Sequence, residues 1–192
     1  MSDRFSSPTY LVRRKVFTLA GAAFHIWDGQ GQLVLYSKLK AFKLKEDLRL
    51  FTGEDMREEL LAIHARRVLD ISATYDVTDS RTGERVGAIQ RKGMQSLLRD
   101  EWRFLDAGDR EVGFIREDSM GLALLRRFLT NLVPQRFDVE VMGRTVATVR
   151  QDFNPFVLKL TVDFSQDPAG LLDRRLGLAA VLLLCAIEGR QG

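Results

Sequence analysis

Basic residues are the part of this sequence whose types and spacing point most clearly to a chemistry. The segment "SKLKAFKLK" carries lysines at alternating positions, with a change of phase at Ala41–Phe42. Because strand side chains alternate between two faces, two of these lysines share one face of a strand and the other two share a face of the next. Dibasic pairs end further predicted strands. The candidate ligands for an anionic headgroup are therefore Lys38, Lys40, Lys43, Lys45, Arg66, Arg67, Arg91 and Lys92.

Two interpretations of these basic residues remain open at this point. Each Lys or Arg beside an anionic membrane leaflet adds about 1 kcal/mol to binding, so the residues would suit an anionic lipid surface. A solvated barrel wall explains the same pattern, because the outward positions of a barrel in water must be polar.

Other residue types do not assemble into a recognisable catalytic or metal-binding pattern. The two histidines, His25 and His64, fall on separate predicted strands, whereas a zinc site needs three or four His or Cys ligands. Asp28, Asp79 and Asp106 recur at equivalent hairpin positions, where Asp accepts backbone amides of the turn. We therefore expect no enzyme, no metal and no cofactor.

Composition sets broad bounds on the class of protein. The chain has 192 residues, a size that fits one domain, and a formal net charge of +3, which by itself does not indicate nucleic-acid binding. The single cysteine, Cys185, excludes an intramolecular disulfide and favours the cytoplasm, with peripheral attachment at the inner membrane face as a further expectation. We expect residues 1–7 to be a disordered tail and residues 8–192 to be one domain.

An apolar segment near the end of the chain constrains the fold most strongly. Leu176 to Ile187 contains no charged side chain. A helix that spans a bilayer needs about 20 apolar residues, whereas this segment is shorter and has charged residues directly before and after it. A buried helix from Pro168 to Glu188 is the favoured interpretation, with Asp167 as its cap and Gly189 as its stop. Because the second half is apolar all round, this helix must be enclosed on every side.

Strands of alternating polarity supply an enclosure for this helix. Five segments, starting at Phe24, Leu48, Tyr75, Trp102 and Phe137, repeat a hairpin pattern with a polar turn. The strands are predicted at 10–17, 22–28, 32–39, 41–51, 59–66, 72–79, 85–92, 100–106, 110–117, 136–142, 144–151 and 155–164. So many antiparallel strands either split into two layers or close on themselves, and closure removes the exposed edges. A wide barrel also needs a filler, so we predict a mainly β fold: a closed antiparallel barrel of about twelve strands with the hydrophobic helix along its axis.

A second helix is predicted between two of the strands. Ser119 to Pro134 has leucines at helical spacing, with Ser119 as the cap and Pro134 as the stop. We expect this helix to lie across one mouth of the barrel.

The order of hairpins followed by an apolar helix resembles the superfamily of tubby C-terminal domains and phospholipid scramblases, and most of all its LURP-one-related family. The resemblance is carried by "YDVTDSRTGERVGAIQRK", "DEWRFLDAGDREVGFIREDS" and "LLDRRLGLAAVLLLCAIE", and it covers about Tyr10 to Glu188. It implies a twelve-stranded barrel threaded by a central helix. Tubby-like members bind phosphoinositide headgroups through basic side chains, whereas the acidic calcium-binding stretch and lipidated cysteines of scramblases have no counterpart here.

The sequence is compatible with two functions. The first is a non-enzymatic module that binds anionic phospholipid headgroups at a membrane surface. The alternative is a protein-interaction scaffold of unknown partner that does not bind lipid. Nucleic-acid binding ranks below both, because aromatic residues are not interleaved with the basic residues along the sequence.

Overall fold

The computed structural model describes residues 3–17, 21–40, 47–69, 72–92, 101–117, 135–152 and 157–188. These residues form a single barrel and one α-helix, α1, at Arg174–Glu188. The strands are β1 (Thr9–Phe17), β2 (Gly21–Asp28), β3 (Leu33–Lys40), β4 (Asp47–Phe51), β5 (Glu59–Leu69), β6 (Ser72–Asp79), β7 (Arg85–Lys92), β8 (Glu101–Leu105), β9 (Glu111–Glu117), β10 (Arg136–Val141), β11 (Arg144–Gln151) and β12 (Lys159–Asp163).

Each strand runs antiparallel to the strands before and after it in the sequence. The sheet closes where β1 pairs with β12, with Tyr10 opposite Val162 and Val12 opposite Leu160. Inward positions alternate with polar outward positions, so that Val12, Ile26 and Val149 are fully buried. The predicted closed antiparallel barrel of about twelve strands is confirmed.

Aspartates hold the tight turns at one end of the barrel. The Asp28 carboxylate accepts the amides of Gln30 and Gln32 at 3.0 and 2.8 Å, and Asp106 accepts those of Gly108 and Arg110 at 2.8 and 3.0 Å. Asp79 accepts the amides of Arg81 and Thr82 in the same way. The predicted turn role of these three carboxylates is confirmed. We call this end the entrance end, because α1 also begins there.

The C-terminal helix lies inside the barrel. Each side chain from Leu178 to Ala186 is at most 2 % exposed, so no face of the helix reaches solvent over this stretch. Its backbone approaches β7 on one side and β1 and β12 on the other, and these strands stand on opposite sides of the barrel. In the described part of the chain, no helix combines the length and the apolar character that crossing a bilayer requires.

The helix starts later than the sequence predicted. Asp173, not Asp167, caps it: the Asp173 carboxylate accepts the Arg175 amide at 2.8 Å, and its carbonyl accepts the Gly177 amide. Asp167 instead accepts the amides of Leu171 and Leu172 and organises a turn ahead of the helix. Gly170 in this turn has a φ of 66°, which is incompatible with a helix continuing from Pro168. The proposed stop at Gly189 lies outside the described residues.

Two arginines fasten the start of α1 to the entrance end. Arg174 pairs with the fully buried Asp167 carboxylate at 3.2 Å and lies 4.4 Å from the centre of the Phe164 ring. Arg175 reaches across to the β6–β7 hairpin, where it pairs with Asp79 at 3.1 Å and Glu84 at 3.0 Å. These contacts fix how far the apolar helix enters the barrel.

The expected disordered tail is wrong from residue 3 onward. Asp3–Phe5 forms a 3-10 turn, and Phe5 is 3 % exposed within the core. The Arg4 guanidinium donates to the carbonyls of Val34 and Thr52 at 2.9 and 3.1 Å, which attaches this segment to two parts of the barrel. The predicted helix from Ser119 to Pro134 lies outside the described residues.

The enclosure of α1 predicts a severe effect for one core substitution. Leu183→Asp places an unpaired carboxylate in the interior, at a cost of several kcal/mol against a total stability of about 5–15 kcal/mol. We expect the variant to be unfolded in circular dichroism and thermal melting. Leu171→Asp is the matched control, since Leu171 is 42 % exposed just before the helix and should tolerate the same change. Equal melting of the Leu183 variant and the parent would contradict the interior position.

The contact between Arg175 and Asp79 predicts a loss of stability in acid. Burial acts to raise the pKa of Asp79, but hydrogen bonds from the Arg81 amide, the Arg175 guanidinium and the Thr82 amide together hold it below its ordinary value. A lowered pKa stabilises the fold above the ordinary pKa of about 4 and ceases to do so as the pH falls through the lowered value.

The test is the melting temperature from pH 6 downward. Asp79→Asn, which keeps the turn acceptor but removes the charge, should melt lower than the parent near neutral pH and converge with it in acid. Asp55→Asn, at an exposed carboxylate of the β4–β5 hairpin, is the control. A constant difference between Asp79→Asn and the parent at every pH would contradict the proposed charge contribution.

Candidate functional site

The outer wall of the barrel carries its charges in two different arrangements. From β4 to β10 the outward arginines whose side chains the structure describes are paired with carboxylates. Arg66 donates to Asp76 at 2.9 Å and to Asp109 at 2.9 Å, and Arg85 bridges the same two carboxylates. Hydrogen bonds from Arg66 and Arg85 lower the pKa of Asp109 to about 2, and hydrogen bonding by Arg66 is also the main cause that lowers the pKa of Asp76.

The same arrangement continues around this part of the wall. Each further arginine has at least one carboxylate within ion-pair distance, so its charge is largely neutralised locally. The pairs are Arg49 with Glu59 and Asp47, Arg103 with Glu101 and Glu111, Arg116 with Glu101, and Arg136 with Asp138.

The rest of the wall, from β11 through β12, β1 and β2 to β3, presents cations in a different way. Four exposed side chains and one half-buried side chain point outward here, and we call them the basic face: Arg13, Lys15, Lys38, Arg150 and Lys159. Their outward direction follows from the strand alternation, because the residues beside them in sequence, such as Val12, Val149 and Leu160, are buried. Among the described residues, Arg13, Lys38, Arg150 and Lys159 have no ion-pair partner.

Strand pairing fixes the spacing within the basic face. Arg13 stands opposite Lys159 on the neighbouring strand. Lys15 and Lys38 stand on either side of Ala23, in one row across three strands. Adjacent strands are about 4.8 Å apart, so the backbones at Lys15 and Lys38 are separated by about 10 Å. This spacing lets neighbouring cations contact one anionic surface together.

The carboxylates on these strands are occupied by other contacts. Asp163 accepts the Ser165 amide at 2.8 Å, and Asp152 accepts the Thr161 hydroxyl at 3.3 Å. Asp28 is engaged in its turn. These hydrogen bonds leave the three carboxylates charged, but the five cations of the basic face outnumber them, so this face retains a net positive charge.

An aromatic group lies on the same wall. His25 stacks on Trp27 with ring centres 5.5 Å apart, contacts the edge of Tyr36 at 5.1 Å, and pairs with Glu54 at 2.8 Å. Trp27 is half-buried and sits diagonally next to Arg13 in the strand register. Wall contacts thus account for His25, and the other histidine, His64, pairs with Asp47 on the wall outside the basic face.

The lysine segment predicted from the sequence is only partly placed by the structure. Lys38 belongs to the basic face. Lys40 follows two positions later on β3 with its backbone opposite Gly21, and its side chain is outside the described part of the structure. Lys43 and Lys45 lie outside the described residues.

The dibasic pairs do not join this surface. Arg66 is held by Asp76 and Asp109 on another part of the wall. Arg91 points into the barrel, because it pairs with the buried Trp102 and lies 5.6 Å from the centre of that ring. The backbone of Arg67 belongs to β5 and that of Lys92 to β7, and the side chains of both residues are outside the described part of the structure.

Sequence reasoning missed most of the basic face. Arg13 and Lys15 alternate within "TYLVRRKVF", which places both on one face of β1. This alternation does not indicate which strands lie beside β1. Lys159 and Arg150 come from the other end of the chain, and only the β1–β12 closure brings them beside Arg13. No local pattern specifies that pairing.

In comparisons with known proteins, no family model, no curated protein and no solved structure matches this chain.

The two arrangements of charge predict different responses to the loss of one outer cation. Arg66→Gln leaves Asp76 and Asp109 with only Arg85, so the melting temperature should fall, by about 2 °C because exposed ion pairs contribute little. Lys38→Gln removes a cation that has no ion-pair partner in the described part of the chain and should leave the melting temperature unchanged. Equal falls in the two variants would show that Lys38 also braces the barrel.

Proposed function

We propose that this protein is a non-enzymatic module that binds anionic phospholipid headgroups at a membrane surface through its basic face. The observation that carries the proposal is the division of the outer wall. The described outward arginines from β4 to β10 are paired with carboxylates, whereas Arg13, Lys38, Arg150 and Lys159 have no ion-pair partner among the described residues. A cluster of unneutralised cations on one side of a rigid barrel suits an extended anionic partner.

Magnitudes agree with a weak, reversible attachment. Each Lys or Arg near an anionic leaflet contributes about 1 kcal/mol, so the five cations of the basic face together supply a few kcal/mol. Exposed charges are screened over about 8 Å at physiological ionic strength, so binding should weaken steeply as salt is added. The corresponding location is the cytoplasm, with the protein attached peripherally to the inner face of the membrane.

Assignment to the LURP-one-related family belongs to the same proposal. The closed twelve-stranded barrel with an enclosed C-terminal helix is what that resemblance implies, and it supports the assignment. The tubby-like branch of the superfamily binds headgroups with basic side chains on the barrel wall. The proposal for this chain rests on its own basic face, because function varies across the superfamily.

The non-enzymatic part of the proposal is supported by what the polar residues do. The turn carboxylates are occupied by backbone amides, and the two histidines contact neighbouring wall residues. Among the residues that the structure describes, no group of three His, Cys, Asp or Glu side chains is arranged to hold a metal ion.

A protein-interaction scaffold is the second candidate, and a separate observation favours it. Met56, Met142 and Leu171 are exposed apolar side chains, and all three belong to loops at the entrance end. Met142 is 79 % exposed at the tip of the β10–β11 hairpin. Under this alternative the loops would contact a partner protein and the basic face would be a solvated wall.

Sedimentation with vesicles separates the two candidates. The wild type should pellet with phosphatidylcholine vesicles that contain phosphatidylserine or a phosphoinositide, but not with pure phosphatidylcholine, and high salt should release it. Lys38→Glu should reduce pelleting several-fold, and the double variant Arg13→Glu/Lys38→Glu should abolish it. Surface changes of this kind usually alter stability by no more than about 0.5 kcal/mol, so the variants should melt like the wild type.

Arg144→Glu is the matched control for these variants. Arg144 is exposed, has no ion-pair partner among the described residues, and begins β11 at the entrance end, away from Lys38. Reversal of its charge should leave pelleting nearly unchanged. If Arg144→Glu and Lys38→Glu weaken pelleting equally, net charge and not the basic face is responsible. Failure of the wild type to pellet at low salt would refute the lipid proposal and favour the scaffold.

A further inference from the structure

We infer that the barrel lies on its side against the membrane and that Trp27 enters the interfacial region of the bilayer. This inference rests on the proposed function, because it names the part of the wall that faces the lipid. It goes beyond charge attraction by assigning an apolar anchor and an orientation.

The strand register places an apolar row within the basic face. Arg150 stands opposite Thr161, which stands opposite Leu11, and Leu11 stands opposite Trp27. Leu33 completes the row on β3. All three apolar side chains of this row are half-buried on the outward side of the barrel, where polar residues are the rule.

Cations border this apolar row on two sides. Arg150 ends the row itself, and Arg13 lies in the adjacent row, diagonal to Trp27 at a backbone distance of about 7–8 Å. Tryptophan combines an apolar ring with a polar N–H, and it is enriched at membrane interfaces, where the ring contacts lipid and the N–H faces water. Arg and Lys can lay their apolar stems on the same surface while their charges reach phosphates.

The Trp27 ring is also held in place before any membrane is met. His25 lies stacked beside it at an interplanar angle of 16°, and His25 is itself fixed by the edge of Tyr36 and by Glu54. A side chain that is already ordered loses less conformational entropy on binding. With the entrance end against the membrane, Trp27 would still lie near the lipid, because it directly precedes the Asp28 turn, but Lys15 and Lys38 would lie further away along the wall. The effect of Lys38→Glu on pelleting therefore separates the two orientations.

Tryptophan fluorescence tests this orientation, because the chain has two tryptophans in contrasting positions. Trp102 is 1 % exposed inside the barrel, whereas Trp27 is half-buried on its outer wall. The probe is a phosphatidylserine-containing vesicle whose phosphatidylcholine carries bromine on the acyl carbons nearest the headgroup. Bound wild type should lose a large part of its Trp27 emission to bromine, and the remaining emission should come from Trp102. The conservative variant Trp27→Phe should still pellet with the vesicles but show no quenching.

The possible results separate this inference from the proposed function. Pelleting without quenching of the wild type would overturn the sideways orientation and leave lipid binding intact. Equal quenching of the wild type and Trp27→Phe would place the contact elsewhere and also overturn it. Absence of pelleting would refute the proposed function and the inference together. Single-stranded DNA that quenches Trp27 more strongly than vesicles do would assign the same row to nucleic-acid stacking and overturn the membrane assignment.

Discussion

Enclosure of an entirely apolar helix is the constraint on which the rest of this structure depends. Between Leu178 and Ala186 the helix has no polar side that water could solvate, so every direction around it must be occupied by protein. An open sheet would cover one side only. Closure of the sheet between β1 and β12 covers the remaining side, and it also leaves no unpaired edge among the strands that the structure describes. The helix and the barrel therefore stabilise each other.

Charged residues set the position of the helix within this enclosure. Buried charges are costly unless they are paired and hydrogen-bonded, and the start of α1 meets that requirement at two places. Arg174 pairs with buried Asp167, and Arg175 pairs with Asp79 on a distant hairpin. Asp79 serves two purposes, since its carboxylate also holds the β6–β7 turn. The polar contacts at the entrance end thus determine how far the apolar helix extends into the barrel.

Closure has a second consequence on the outer wall. It joins the first and last strands, and so it places Arg13 beside Lys159 and near Arg150. From β4 to β10 the described outward arginines are paired with carboxylates, most extensively around Arg66 and Asp109. One protein therefore presents a charge-balanced side and a basic side, and the basic side includes the half-buried Trp27. A surface with both cations and an anchored aromatic ring suits the interface of an anionic bilayer.

The sequence by itself determined the features that depend on local periodicity and turn chemistry. Alternation predicted the strands to within a few residues at most ends, and the length of the apolar run predicted an enclosed helix. The tertiary structure decided what depends on contacts between distant segments. It moved the helix start from Pro168 to Arg174, because Asp167 is used in a turn, and it ordered Phe5 against the core. It also separated Lys38 from Arg66 and Arg91, since the partners of a cation follow from which strands become neighbours and not from its position in the chain.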